Sequence, residues 1–222
     1  RLQGWQLHCV LQRVTQSKCD GLVLTAPCAA TQVSVLYELA LPTAGDALSI
    51  AVSVVNDSSS EMLSLDECNL TLPIPDHFSD FTDFSGRWGL EFQSRTQSLQ
   101  QVAYSRENRT GRTSHSGSAS VVVHEERLSA THGHTFSCHL AWSGNHCLRV
   151  EQLVDGRRYL QLGELLAPEE VVLSPGTAYS APVVWCCFSA GGLTGLSRCW
   201  HRLIRAQFPT VAKLQQKPRL VQ

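Results

Sequence analysis

The chain has 222 residues, 43% of them hydrophobic and 17% charged, enough to bury one large core or two small ones. Its formal net charge of -1 gives no electrostatic basis for binding nucleic acid or an anionic membrane surface. No window approaches the roughly 18 apolar residues of a membrane span.

The opening stretch, RLQGWQLHCV, has neither the apolar core of a signal peptide nor an initiator Met, which reads as a segment of a longer chain. Trp5, Leu7, Cys9 and Leu11 alternate with Gln6, His8 and Gln12 as in a half-buried strand, and residues 22–24 continue the theme. Residues 31–41 form the clearest strand, with Val33, Val35, Tyr37, Leu39 and Leu41 on one face. Residues 42–46 turn it, and Leu48, Ile50, Val52 and Val54 answer from the next strand. After a loop at 56–60, Leu70, Leu72 and Ile74 alternate against Asn69 and Thr71 until Pro73 and Pro75 stop ladder pairing. Strands with one apolar face each are satisfied by sheet-on-sheet packing, so residues 1–75 read as a β-sandwich.

Phe78, Phe81, Phe84 and Trp88 follow at spacings of three, three and four, which places four rings along one side of a predicted helix. Leu90, Phe92, Leu99 and Val102 extend that helix or follow a break at Gly89. Asp76, Asp80 and Asp83 suit capping and dipole complementarity better than general acid work. Residues 105–118, SRENRTGRTSHSGS, contain no apolar side chain and read as an exposed loop. Val121 and Val123, then Phe136, Cys138, Leu140 and Trp142, then Leu148 and Val150, then residues 159–162 give a second run of strands with tight turns at 143–145 and 155–156. Residues 183–188 are a further strand, and Gly191 and Gly192 lead into a helix. One face of that helix carries Leu193, Leu196, Trp200, Leu203 and Ile204, with Arg198, His201, Arg202 and Arg205 away from its centre and Pro209 as its stop. The expected class is α+β: an N-terminal β-sandwich at 1–75, then a platform subdomain at 76–222 made of an antiparallel sheet flanked by helices.

The nine cysteines are an odd number and none has C-x-x-C spacing, so most are expected as thiols, with Cys138 and Cys187 at apolar-face positions. Asn56, Asn69 and Asn108 each begin an N-x-S/T sequon, as in secreted glycoproteins, so intracellular and extracellular settings both stay open. His132, His134, His139 and His146 with Cys138 and Cys147 are the one cluster suggesting metal. Alternation nevertheless puts His132 and His134 on the apolar face of Phe136, Cys138 and Leu140, so neither a metal nor a cofactor is expected. No G-x-S-x-G, P-loop, H-E-x-x-H or G-x-G-x-x-G pattern occurs, which leaves no foothold for an enzyme reading.

The order of sandwich, helix, antiparallel sheet and helix resembles the appendage, or ear, domain of a large subunit of a clathrin-adaptor or coatomer-type complex. Leu72, Pro73 and Ile74 correspond to the end of the last sandwich strand, Phe78 and Phe81 to a linker, Phe84, Arg87 and Trp88 to the first platform helix, and residues 193–208 to the last. Ser85 stands where that family carries a second aromatic, and Gly86 is a poor helix former. The resemblance implies a non-catalytic domain that recruits accessory and trafficking proteins through acidic-aromatic motifs in disordered tails. It also implies other adaptor subunits as partners and a cytoplasmic location, peripheral on membranes through a coat. Trp88 and Phe84 would wall the peptide pocket, with Arg87, Arg149, Arg157 and Arg158 as candidate cations for the motif's acid. The alternative is a secreted or cell-surface glycosylated β-rich recognition domain, which the sequons and the number of cysteines favour.

Overall fold

The computed structural model describes residues 11–16, 21–28, 30–42, 47–100, 103–113 and 115–207. Among them the chain opens as an antiparallel meander of β1 (Arg13–Gln16), β2 (Gly21–Cys28), β3 (Val33–Ala40) and β4 (Ala47–Asn56). It continues through β5 (Leu63–Leu65), β6 (Cys68–Ile74), β7 (Asp80–Arg87), β8 (Leu90–Ser98), β9 (Ala103–Asn108), β10 (Ser120–His124) and β11 (Thr135–Leu140). Then come β12 (His146–Gln152), β13 (Arg158–Glu164), β14 (Val171–Leu173), β15 (Ala178–Ser180), β16 (Val184–Ser189) and the helix α1 (Gly192–Gln207).

The larger sheet runs in the order β1-β2-β3-β4-β16-β11-β10-β7-β8, with β15 also on β4; the smaller runs β6-β13-β12-β9, and β14 pairs β5. The two main sheets stack, because each strand's alternation leaves one apolar face to cover. Val33 and Val35 of β3, Ile50, Val52 and Val54 of β4, Phe81 of β7, Val121 and Val123 of β10 and Leu140 of β11 are buried on the large sheet's side. Leu70 and Ile74 of β6, Leu148 and Val150 of β12 and Leu160 and Leu162 of β13 join the same core from the other side. Each such side chain contributes roughly 1.5 to 3 kcal/mol by leaving water. Pro73 lies within β6, opposite Tyr159, and is tolerated because β6 is an edge strand.

Strands from either side of residue 75 share both sheets. β4 pairs with β15 and β16, and β6 pairs with β13, so the expected division into 1–75 and 76–222 runs through one core. The predicted helix over Phe78 to Trp88 is not formed. Phe81, Asp83 and Ser85 point inward from β7 while Thr82, Phe84 and Gly86 face outward, so a spacing of three that would align rings on a helix sends them to opposite faces of a strand. What was expected as a helix-flanked platform is therefore mostly antiparallel sheet with one helix among the described residues. The polar stretch after residue 104 is likewise strand as far as Asn108, with Tyr104, Arg106 and Asn108 turned inward. Expectations for Trp5, Leu7, Cys9, residues 43–46, Val102 and Pro209 lie outside the described residues.

The one helix among the described residues covers the outer face of the large sheet. Leu196, Cys199 and Leu203 are buried against Ala47, Val122 and Cys187, and Trp200 packs on them half-buried while its Nε1 donates to Ser137 Oγ at 2.6 Å. Leu193 and Ile204, expected on the docked face, are exposed.

At one end of the sandwich the sheets are tied by a charge pair. Arg106 Nη1 of β9 lies 2.7 Å from Asp83 Oδ2 of β7, with side-chain exposures of 16% and 3%. The same guanidinium donates to the carbonyls of Phe84, at 3.1 Å, and Ser118. Tyr104 OH donates to Asp83 Oδ2 at 2.9 Å, and burial pushes its pKa up to about 12. Asp83→Ala leaves the guanidinium buried without a counter-charge and should cost about 3 to 5 kcal/mol in urea unfolding, whereas Asp83→Leu combined with Arg106→Met should cost clearly less.

Candidate functional site

β10 pairs with β7 only between Asp80 and Asp83, so β7 and β8 run on past it as a two-stranded arm. Thr82 and Thr96 hydroxyls bond across the arm's base at 2.8 Å. Beyond them the register shifts between Ser85 and Arg87, where a Cβ on Gly86 would overlap the Leu90 carbonyl. Trp88 and Gly89 make the turn, Gly89 supplying a φ of 75°. The Glu91 carboxylate accepts the Gly89 N–H at 2.9 Å, and that bond holds its pKa below the ordinary carboxylate value. Trp88 is 86% exposed at the tip. Phe92 is 68% exposed and adopts a φ of 56°, a left-handed conformation that costs a bulky side chain of order 1 to 3 kcal/mol.

The segment after β9 is pinned beside the arm. Asn108 is buried; its Oδ1 accepts the Thr110 N–H and hydroxyl, and its Nδ2 donates to Arg112 O at 2.7 Å. Gly111 N–H donates to Asn145 Oδ1 at 2.8 Å and Thr113 N–H to Ser143 O at 2.6 Å. The nitrogen that a glycan would take on Asn108 is thus committed inside the fold. So is that of Asn56, which donates to Glu61 O and Leu173 O at 2.8 and 3.0 Å.

Between the arm, α1 and the outer faces of β10, β11 and β16 lies a cleft of about 890 Å³, walled by Phe84, Phe92, Trp142, Trp185 and Trp200. Ser120 Oγ and His139 Nδ1 bond to each other at 2.6 Å on its wall. Phe84 and Phe92 meet with ring centroids 5.8 Å apart.

The predicted site residues are not brought together. Phe84 lines the cleft, and Arg87 and Trp88 sit at the exposed end of the arm. Arg149 pairs with Glu67 at 2.9 Å on the smaller sheet, and Arg157 pairs with Asp155 in the β12–β13 turn. Arg158 donates to Phe78 O at 2.7 Å, next to the start of β7, which puts it a strand's length from Trp88, roughly 25 Å at about 3.3 Å per residue. The histidines are dispersed too: His134 pairs with Glu125, His139 faces the cleft and His146 is buried in the sandwich. Among the described residues no three His, Cys, Asp or Glu side chains converge as metal ligands would. Reasoning from the sequence missed Phe92, Trp142, Trp185 and Asn108. The available signal was the pair of glycines at 86 and 89, which marks a bulge and a turn.

Trp88→Ala should leave the urea midpoint nearly unchanged, within about 0.5 kcal/mol, while Trp200→Ala should lose about 3 kcal/mol. Burial holds the His146 imidazole below its ordinary value, so on acidification the unfolded chain takes up that proton first. Stability is then full above about pH 6.5 and falls as pH drops through that value towards the lower folded pKa. His146→Asn, which keeps a donor for the Gly144 carbonyl, should make the stability lost between about pH 7 and pH 5 smaller in melts across that range.

Residues 8–174 match the model of the glycosyl hydrolase family 36 N-terminal domain. An α-galactosidase of Escherichia coli is 36% identical over 149 residues, which are 67% of this chain and 21% of that protein. Probable α-galactosidase C of Aspergillus terreus (strain NIH 2624 / FGSC A1156) is 26% identical over 162 residues, covering 72% of this chain and 21% of its own length. Among solved structures, an AgaA α-galactosidase variant of Geobacillus stearothermophilus in complex with stachyose superposes with a TM-score of 0.77 at 21% identity, over 83% of this chain and 26% of that one. The galactosidase domain of the α-galactosidase–sucrose kinase AgaSK gives 0.77 at 23% identity, over 92% and 28%. The chain spans about a fifth of the length of these sequence relatives.

These matches overturn the appendage-domain resemblance, and with it the peptide-recruiting function and the adaptor-subunit and peptide partners. The expectation that no enzyme is involved falls for the same reason, because the relatives are α-galactosidases. The secreted recognition domain is not supported either.

Proposed function

The chain belongs to the glycosyl hydrolase family 36 N-terminal domain family, and on that premise we propose that it is the N-terminal β-domain of an α-galactosidase acting on α-galactosides. The observation that carries this reading is the family match over residues 8–174, a span that includes β1 to β14, hence the whole smaller sheet, the arm and all of the larger sheet except β15 and β16. Glycoside hydrolysis uses a pair of carboxyl groups flanking the scissile bond. Near the arm the carboxylates are engaged otherwise, Asp83 with Arg106 and Glu91 with the Gly89 N–H. What the arm offers a sugar is binding. The exposed indole of Trp88 is a flat apolar plate for the C–H face of a pyranose ring, with the exposed Arg87 beside it for hydroxyls.

The test is hydrolysis of p-nitrophenyl α-galactopyranoside and raffinose by the protein that contains this chain. Galactose release from both is expected. Trp88→Ala should raise KM for raffinose about 2- to 10-fold with little change in kcat, because the plate holds ground state and transition state alike. Folded protein that releases no galactose from either substrate contradicts the reading.

A further inference from the structure

We propose that Cys138 and Cys186 form a redox-sensitive pair that closes to a disulfide by exchange with a low-molecular-weight disulfide such as oxidised glutathione. The two residues face each other directly in the ladder between β11 and β16, in the middle of the larger sheet. Their Sγ atoms are 3.3 Å apart and both are thiols. A disulfide needs facing Cβ atoms and a short Cα separation, and register-matched neighbours on adjacent antiparallel strands meet both needs without moving the backbone. The neighbouring cysteines are directed elsewhere: Cys187 packs in the cluster beneath α1, and Cys199 Sγ lies 3.5 Å from the Phe188 carbonyl oxygen.

The pair is asymmetric in a way that orders the steps. Cys186 is half-buried, whereas Cys138 is fully buried and its thiol is pushed up by the Cys186 hydrogen bond and by burial. Cys186 therefore attacks first. Its thiolate displaces one glutathione thiolate from glutathione disulfide, forming a mixed disulfide. Cys138 then loses its proton and attacks the Cys186 sulfur, releasing the second glutathione. Two protein thiols are oxidised and one glutathione disulfide is reduced to two glutathione molecules. The product is a covalent rung across the centre of the sheet, and it closes the segment holding β12 to β15 into a loop. Because β16 runs on into α1, the rung also fixes the strand from which the helix departs. The inference is independent of the α-galactosidase reading.

The experiment is equilibration of the folded chain with glutathione redox buffers of increasing oxidising strength, followed by alkylation, digestion and mass spectrometry. The expected result is one linked pair of peptides, carrying Cys138 and Cys186 with loss of two hydrogens, and a higher Tm for the oxidised chain. Cys138→Ala should instead arrest Cys186 as its glutathione adduct. Recovery of both cysteines as alkylated thiols at oxidising strengths that fully convert a small dithiol reference overturns the proposal. So does a link between Cys186 and Cys187. The mapping on the unsubstituted chain decides the matter even where a variant fails to fold.

Discussion

A carboxylate and a guanidinium buried between two sheets bind the architecture together. Asp83 belongs to the larger sheet and Arg106 to the smaller, so their contact fixes the sheets relative to each other where the apolar packing gives out. The rest of the core is non-directional: Val, Leu and Ile faces can slide against one another at little cost, while a charge pair with three further hydrogen bonds from Arg106 and Tyr104 has one geometry. Those same bonds grip the Phe84 and Ser118 carbonyls. The root of the arm and the end of the segment after β9 are therefore held by one guanidinium. This end of the core is polar beyond that pair, since Ser85 Oγ, Ser118 Oγ and His146 Nε2 are also buried there without a protein hydrogen bond. We suggest that the polar end trades stability for a fixed arm, the specificity role that buried ion pairs can serve; comparable arm order in the apolar double variant would count against it.

From that fixed root the arm carries its side chains outward at a cost. Phe92 is held in a left-handed conformation, and the bulge that permits it requires Gly86, because any side chain there would meet the Leu90 carbonyl. Local strain of this kind persists only where surrounding structure over-determines it. The result is that Phe92 faces Phe84 at the cleft mouth while Trp88 is presented to solvent, an arrangement that a regular hairpin would not give. An indole exposed to this degree adds little to the stability of the fold.

Much of the fold was legible in the sequence. The strands at 33–40, 47–56 and 68–74 follow from alternation, that at 184–189 was expected at 183–188, and the closing helix follows from its 3.6-residue apolar face. The segment from Phe78 to Trp88 was misread because a spacing of three satisfies a helix and says nothing against a strand. Asp83 and Ser85 are polar residues on the strand's inward face, and Asp83 looks wrong there until Arg106 is seen to answer it. Arg106 was hidden in turn, since residues 105–118 carry no apolar side chain and the pattern of a buried strand was absent. With the helix went the family resemblance, which rested in part on an Arg-Trp pair that the structure puts at the tip of a hairpin rather than on a platform helix. The candidate site was less legible than the fold. Trp88 and Phe84 were picked out from the sequence, but Arg149, Arg157 and Arg158 belong to the other sheet, and spacing alone could not show which end of it they occupy.

The central claim, that the arm is the face this domain turns to an α-galactoside, is tested most directly by the indole N–H resonances of the chain titrated with raffinose. The account predicts a saturable shift of the Trp88 resonance, with those of Trp185 and Trp200 on the cleft wall unmoved. A Trp88 resonance that stays in place, or a larger shift at Trp185 or Trp200, would contradict it.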